Sequence, residues 1–517
     1  RLEMLAYVAR RLGVLFVILF GSSFILYNLA AISGDPLQEL RTSTEPNAKQ
    51  QIINLTRELK LDVPPPLRYF IWLKGILGVF RGQIDFGKTR EAEPVLNAIA
   101  AAVPITIRLV TAATFIAIIL GISLGIVTAL RQYSRFDYSM TFVAFLMFSL
   151  PIFWVAVLLK QFLAIRFNDF LSNPVIPLNV VIFLSVFSGI FWSAIISGDR
   201  KRVIQIFAIA FAANALLLEI LSITKWFASP SLGPVVILIL GVGVAFGITQ
   251  LSTGISNRQS LYAALSMAVI GTIAYFPAQW AFTSSHPRLA VLVMAGITIG
   301  FAIVSAQVFA RVDKGPVTRT AILTSVIIAV LIIIDRLMRE WAPYMANDAV
   351  NFRPVPTFGQ TREWFTPVPF WMRVLDTLIH LILPTIALTL ISFAGYIRYA
   401  RGTLLEVLNQ DYIRTARAKG LTERTVIMRH AFRNTMIPLT TIMVADIVGI
   451  IGGAIITERV FGWTGMGTLF NKAINSFDLN LLMGVFFLTA SLAVIANLIQ
   501  DLLYSALDPR VRVGAGK

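Results

Sequence analysis

Between two apolar runs the chain carries Asn409-Gln-Asp-Tyr-Ile-Arg-Thr-Ala-Arg-Ala-Lys-Gly420-Leu421, followed by Arg429-His-Ala-Phe-Arg-Asn434 and then Pro438. These residue types suit recognition rather than bond-making. Asp411 stands where a carboxylate favours a helix start, Thr415, Ala416 and Ala418 keep one turn slim enough to enter a groove, and Gly420 can close the helix through a left-handed turn. Tyr412 and Leu421 flank that turn, and Arg414, Arg417 and Lys419 make it positive. A short, slim, basic helix fits docking onto another protein.

Other chemistries are poorly served. The chain has no cysteine, which excludes disulfides and thiolate metal sites, and its three histidines, His286, His380 and His430, lie far apart in sequence. Neither of the large polar segments offers the paired carboxylates or the Ser/His arrangement that a membrane-embedded transferase or protease needs. No Gly-x-x-x-x-Gly-Lys-Ser/Thr is present. The nearest approach, Gly462-Trp-Thr-Gly-Met-Gly467-Thr468, lacks the lysine, so the chain does not itself cradle nucleotide phosphates in the usual way.

The elements that must position the basic loop are membrane spans. Of 517 residues 57% are hydrophobic and 14% charged, and the mean hydropathy is +0.77, which leaves too little polar surface to cover a soluble globule. The net charge of +17 sits in short segments between apolar runs, the pattern of loops in a polytopic protein rather than of a nucleic-acid binder. The sequence therefore predicts an all-α polytopic membrane protein with about twelve spans. They cover roughly 7–31, 103–130, 139–165, 175–197, 203–224, 234–252, 261–282, 289–310, 320–340, 377–400, 435–457 and 481–506.

Positive residues are retained on the cytoplasmic side. With the N-terminus inside, Arg10, Arg11, Arg131, Arg135, Arg200 to Arg202, Arg258, Arg311, Lys314, Arg319, the loop 401–433 and the tail with Arg510, Arg512 and Lys517 all fall inside. Both termini are then cytoplasmic and the protein belongs in the cell membrane. The first apolar run is too long for a cleaved leader and reads as a retained span, while Arg1 in place of Met points to a trimmed chain. Outside lie 33–100, with amphipathic stretches around Phe70 and Gly75 to Phe80, and 341–376, rich in Pro and aromatics including Trp364, Phe365 and Trp371.

Four separated signatures resemble the permease subunits of ATP-binding-cassette importers for dipeptides, oligopeptides and nickel. Tyr7-Val-Ala-Arg10-Arg11 leading to Gly34-Asp35-Pro36 is similar to the family's opening helix, and Asp411 to Leu421 with Arg429-His430-Ala431 and Arg433-Asn434 is similar to its ATPase-coupling motif. Glu458-Arg-Val-Phe-Gly-Trp463-Thr-Gly465-Met-Gly467 and the ending Asp501-Leu-Leu-Tyr504 with Leu507-Asp508-Pro509-Arg510 complete the set. Arg414, Thr415 and Ala416 stand where the wider superfamily has an acidic residue and two alanines, a departure shared by the peptide and nickel branch. The resemblance covers about 1–165 and 371–512. It implies a six-helix permease core in two parts, 1–170 and 371–517, interrupted by an inserted six-helix block at 171–370, whose plainest role is lipid-facing packing and whose alternative is docking of an additional subunit or lipid.

The resemblance further implies a permease, not an enzyme, that takes up di- or oligopeptides. Its partners would be a second permease, two ATP-binding subunits or domains, an extracytoplasmic substrate-binding protein and membrane lipids. ATP and Mg would be bound by the partner ATPases, with no cofactor or metal in this chain. The residues assigned to coupling are Asp411, Tyr412, Arg414, Thr415, Ala416, Arg417, Ala418, Lys419, Gly420 and Leu421, with Ala416 and Gly420 permitting close approach. The alternatives are a nickel importer permease and a twelve-helix proton-coupled carrier. The carrier predicts related halves and charged midplane relays; no internal repeat is evident, and midplane charge is nearly confined to Asp446, the pathway candidate. Lys160, Gln161, Asp335, Arg336 and Arg108 read as snorkelling or interfacially paired groups. Pro104, Pro151, Pro384 and Pro438 are candidate bends, and Gly121, Gly125, Gly449, Gly452 and Gly453 allow close helix packing.

Overall fold

A chain crossing lipid must satisfy its own backbone, and helices do so within one segment. The computed structural model is helical throughout its regular structure among the described residues, with one isolated bridge between Lys88 and Pro94. It describes residues 2–507 except 197, 312–313, 363–366 and 453; the side chains of 2–9, 11, 12, 424, 448, 451, 452 and 501–507 are also outside the description. Among the landmarks named above, Arg1, Trp364, Phe365, Gly453, Asp508 to Arg510, Arg512 and Lys517 lie outside the described residues.

Among the described residues ten helices are long and apolar enough to cross a membrane, or eleven when a bent pair is counted as one more, so this is a multi-pass membrane protein. The predicted span 435–457 corresponds to the helix Phe432–Gly452, which is not among those ten or eleven, so one of the twelve expected spans falls outside that count. The sequence pattern predicts one span over 139–165 with Pro151 as a candidate bend. The chain forms Arg135–Ser149 and Ile152–Leu171, bent by 102° at their break. Pro151 occupies that break, where its missing N–H and fixed φ stop the helix. Pro104, Pro384 and Pro438 remain inside uninterrupted helices.

The described residues fall into two compact units. The first draws on Arg1–Gln161, Thr357–Gln360 and Leu381–Lys517, the second on Phe162–Pro356 and Thr361–His380.

In the first unit, Leu2–Ser33 packs on Leu479–Leu507 and on Pro65–Leu77, while Val95–Leu130 and Leu479–Leu507 both pack on Phe432–Gly452. The amphipathic stretch near Phe70 is the helix Pro65–Leu77, which buries Tyr69, Trp72 and Ile76. They join a core with Tyr27, Phe86, Val95, Ile99, Met466 and Leu481. The Tyr69 hydroxyl bonds Ser23 at 2.8 Å, and burial pushes its pKa up, disfavouring the phenolate. Gly121 and Gly125 let Val95–Leu130 lie against 393–401: a Cβ on Gly121 would meet Phe393 O at 2.9 Å and one on Gly125 would meet Ile397 O at 2.8 Å.

One ion pair in this unit is nearly sealed. Arg401 donates from Nε and Nη2 to the two carboxylate oxygens of Asp137 at 2.8 and 3.0 Å, and the Asp137 side chain is 3% exposed. Asp137 also accepts from the backbone of Tyr133 at 3.0 Å, so the pair ties the start of Arg135–Ser149 to the end of Phe370–Leu408. Arg401→Met strands a buried carboxylate and is expected to cost about 3 kcal/mol. Thermal unfolding in detergent measures it, and Asp137→Asn in the same chain should return part of the loss.

The second unit contains the hairpin Leu178–Ile196 with Arg200–Ile223, started by Asp199, whose side chain accepts from Arg202 N. Four further helices, Gly233–Ser252, Arg258–Phe282, Pro287–Phe309 and Lys314–Arg339, pack together as a bundle. Gly271 admits Ile328 between helices, where a Cβ would meet its Cγ2 at 2.5 Å. Asp335 sits wholly inside this bundle and does not snorkel. Its Oδ1 accepts from Leu232 N at 2.7 Å and Gly233 N at 3.0 Å, and its Oδ2 from Tyr275 at 2.7 Å, Arg339 Nε at 2.9 Å and Gln279 at 3.3 Å. The carboxylate thereby caps Gly233–Ser252 and joins three helices. Arg336 pairs with Glu340, and Lys160, in the first unit, donates to Val460 O.

Candidate functional site

The basic loop folds into a helix, Asp411–Ala418, where the residues favour one. Gln410 precedes it in an extended conformation, Asp411 occupies the first turn, and the Thr415 hydroxyl donates to Asp411 O at 2.9 Å. Gly420 closes it at φ +76°, a left-handed conformation with no cost to glycine. The chain then extends through Thr422, whose hydroxyl accepts from Thr425 N. It re-enters helix by Glu423–Thr425 and a π-helical turn, Val426–Ala431, that runs into Phe432–Gly452.

The two faces of this helix differ in kind. Ile413 and Ala416, three residues apart and so on one face, are buried with Ala129, Leu404, Val426 and Ala431. Asp411, Tyr412, Arg414, Thr415, Arg417, Ala418, Lys419, Gly420 and Leu421 are exposed. Ala416 departs from its expected place. It points into its own chain rather than outward, because the helix needs a small residue there to settle onto Leu404 and Val426. The slim outward surface is formed by Thr415, Ala418 and Gly420.

Charges on the outward face are partly organised. Arg417 grips Glu423 through Nε at 3.1 Å and Nη2 at 2.7 Å, and this guanidinium holds the Glu423 carboxyl below the usual carboxylate range while the Arg417 ionisation rises. Arg414 lies 3.5 Å from Asp411 with both side chains largely in solvent. Among the described residues Lys419 has no ion pair. Asn434 donates to the Tyr412 hydroxyl and to His430 O, both at 2.9 Å, pinning the helix to the chain that follows. Neither the Glu423 clamp nor the Ile413 anchor figures in the sequence reading, although the Ile413-x-x-Ala416 spacing carries the signal for the second.

The Glu458 to Gly467 motif has a packing explanation. Glu458 is wholly buried; its Oε1 accepts from the Thr106 hydroxyl at 2.8 Å and its Oε2 from Thr468 N at 2.7 Å. Thr106 in turn accepts from Met466 N at 2.7 Å. These groups occupy the amides at the start of Met466–Asn475, where an anion would otherwise bind, so the glycine-rich run is not a phosphate cradle. A Cβ on Gly465 would meet Thr106 Oγ1 at 2.2 Å, and Gly462 turns at φ +71°. Glu458→Gln turns an amide NH2 toward one of these donors and should cost about 2 kcal/mol. The expected readout is about thirtyfold faster amide exchange across Met466–Asn475.

Asp446 is exposed, and its Oδ2 accepts from the Tyr396 hydroxyl at 2.6 Å. It lines an open cavity of about 270 Å³ with Val110, Thr114, Ser392, Tyr396 and Ile450. Among the described residues no group of three or more His, Asp or Glu could hold a metal ion.

Residues 326–513 match the family model described as binding-protein-dependent transport system inner membrane component. The chain is similar to the oligopeptide transport system permease protein OppB of Mycobacterium tuberculosis, 43% identical over 143 residues, covering 28% of this chain and 44% of that protein. It is likewise similar to the oligopeptide transport system permease protein AppB of Bacillus subtilis, 43% identical over 139 residues, 27% of this chain and 44% of that protein. The dipeptide transport system permease protein DppB of Escherichia coli K12 is 43% identical over 138 residues, 27% of this chain and 41% of that protein. Each match thus spans less than half the length of the curated relative.

Proposed function

We propose, from the match of residues 326–513 to the family model of binding-protein-dependent transport inner membrane components, that this chain is the permease subunit of an ATP-driven importer of di- or oligopeptides. Peptides arrive from an extracytoplasmic binding protein, cross by alternating access between this chain and a second permease, and are driven by two ATP-binding subunits that hold the ATP and Mg. The peptide-transport roles of the similar proteins favour peptides over nickel as cargo. Both termini face the cytoplasm under this reading, the core comprises 1–170 and 371–517, and 171–370 is an inserted block.

The observation that carries the reading is the mounting of the helix Asp411–Ala418. Its inner face is seated on Ala129 at the end of Val95–Leu130 and on Leu404 near the end of Phe370–Leu408, and its chain continues through the π-helical turn into Phe432–Gly452. A partner that displaces it pulls on three long helices at once, which is what a lever between an ATPase and a transport pathway requires. The exposed Arg414, Arg417 and Lys419 set orientation and association rate on an acidic groove.

Affinity isolation from native membranes, followed by identification of the companions and assay of ATP hydrolysis, tests the proposal. Co-purifying ATPases whose hydrolysis drives tri-alanine uptake in vesicles support it. Solute accumulation by the isolated chain on an ion gradient alone would overturn it.

A further inference from the structure

The cavity beside Asp446 has a chemistry that the importer reading does not by itself supply. Asp446 lies fourteen residues beyond Phe432, about 21 Å along its helix, and no cation pairs with it among the described residues. One carboxylate oxygen is held by the Tyr396 hydroxyl, while Oδ1 accepts no hydrogen bond among the described residues. Among the described residues the remaining polar lining is hydroxylic, from Thr114 and Ser392, the rest is apolar or glycine, and neither Lys nor Arg lines the cavity. A carboxylate at such a depth, flanked by apolar walls, is costly until a cation reaches it. At about 270 Å³ the space is smaller than sites that enclose whole drug-sized ligands, about 300–1,000 Å³, so it suits one end of a peptide.

We propose that this cavity receives the protonated amino terminus of a peptide in transit, with Asp446 as its counter-ion and Tyr396 holding the carboxylate in place. The ammonium donates to Asp446 Oδ1 and to the Thr114 and Ser392 hydroxyls, and the apolar wall from Val110 to Ile450 meets the first side chain. The inference rests on the peptide-importer reading and adds to it a chemical requirement on the cargo. A free amine is favoured over an acylated one because acylation removes the charge and leaves the carboxylate unpaired.

The test compares the assembled transporter in proteoliposomes with Asp446→Asn and Asp446→Glu, following labelled tri-alanine uptake and ATP hydrolysis in the same vesicles. Asparagine preserves shape but not charge, so tri-alanine moved per ATP should fall about tenfold; glutamate should recover it to within about twofold. N-acetyl-tri-alanine, transported poorly by the parent, should lose nothing further in Asp446→Asn. Parental uptake of tri-alanine by Asp446→Asn, or an equal loss for the acetylated peptide, overturns the amine site and leaves the importer reading standing. Failure of the parent complex to move tri-alanine while it hydrolyses ATP overturns both.

Discussion

Reversing two charges, Arg417→Glu with Lys419→Glu, is expected to lower uptake about tenfold or more while the protein keeps its place and amount in the membrane. The expectation follows from which face carries which residues. Ile413 and Ala416 seat the helix against Leu404 and Val426, and neither is touched by the substitutions. Lys419 has no ion pair among the described residues, so its reversal changes the outward field directly. Arg417 is bound to Glu423, and glutamate in its place sets two carboxylates side by side on the same surface. Uptake and ATP hydrolysis, measured together in proteoliposomes at two salt concentrations, separate a docking defect from a folding defect. A docking defect lowers uptake per ATP and flattens or inverts the parent's salt dependence, because the attraction that salt screens has been removed. Transport at the parental level by the double variant would remove the docking assignment for this surface. Ile413→Ala is the contrasting lesion, expected to reduce the amount of folded protein instead.

Removing the carboxylate of Asp335 should have the largest effect on stability in the second unit, about 3–5 kcal/mol for Asp335→Ala. Five donors converge on it: two backbone amides that open Gly233–Ser252, the Tyr275 hydroxyl, Arg339 and Gln279. Alanine leaves those amides and the hydroxyl facing a void inside an apolar bundle, where no water shell replaces the lost acceptor. Asparagine is expected to rescue little. Its oxygen can serve Leu232 and Gly233, but its amide nitrogen then meets the donors of Tyr275, Arg339 and Gln279. Thermal unfolding of the detergent-solubilised protein should show a midpoint at least about 6 °C lower for Asp335→Ala. Unchanged midpoints in both variants would show that the carboxylate is incidental to the bundle.

Much of the architecture is legible from hydropathy because the bilayer imposes a length on every apolar run, and the ten or eleven qualifying helices follow the predicted runs. The loop helix is legible for the same local reasons: an acidic first turn, a glycine able to adopt positive φ, and small residues between. Asp335 and Glu458 were harder. A carboxylate in an apolar run signals a partner without naming it, and the partners of Glu458 include Thr106, 352 residues away. The 102° bend shows a similar boundary, since Pro151 marks a break in the helix while its angle depends on what packs on either side.

By itself the sequence determined the fold class, most of the spans and the presence of a slim basic helix, because hydropathy, charge placement and turn chemistry act over a few residues at a time. Tertiary structure alone decided that Ala416 faces inward, that Glu423 restrains Arg417, that Arg401 closes on Asp137 and that Asp446 meets Tyr396 beside an open cavity. Each of those outcomes is a matter of which helix faces lie against one another, and no local preference of the chain encodes it.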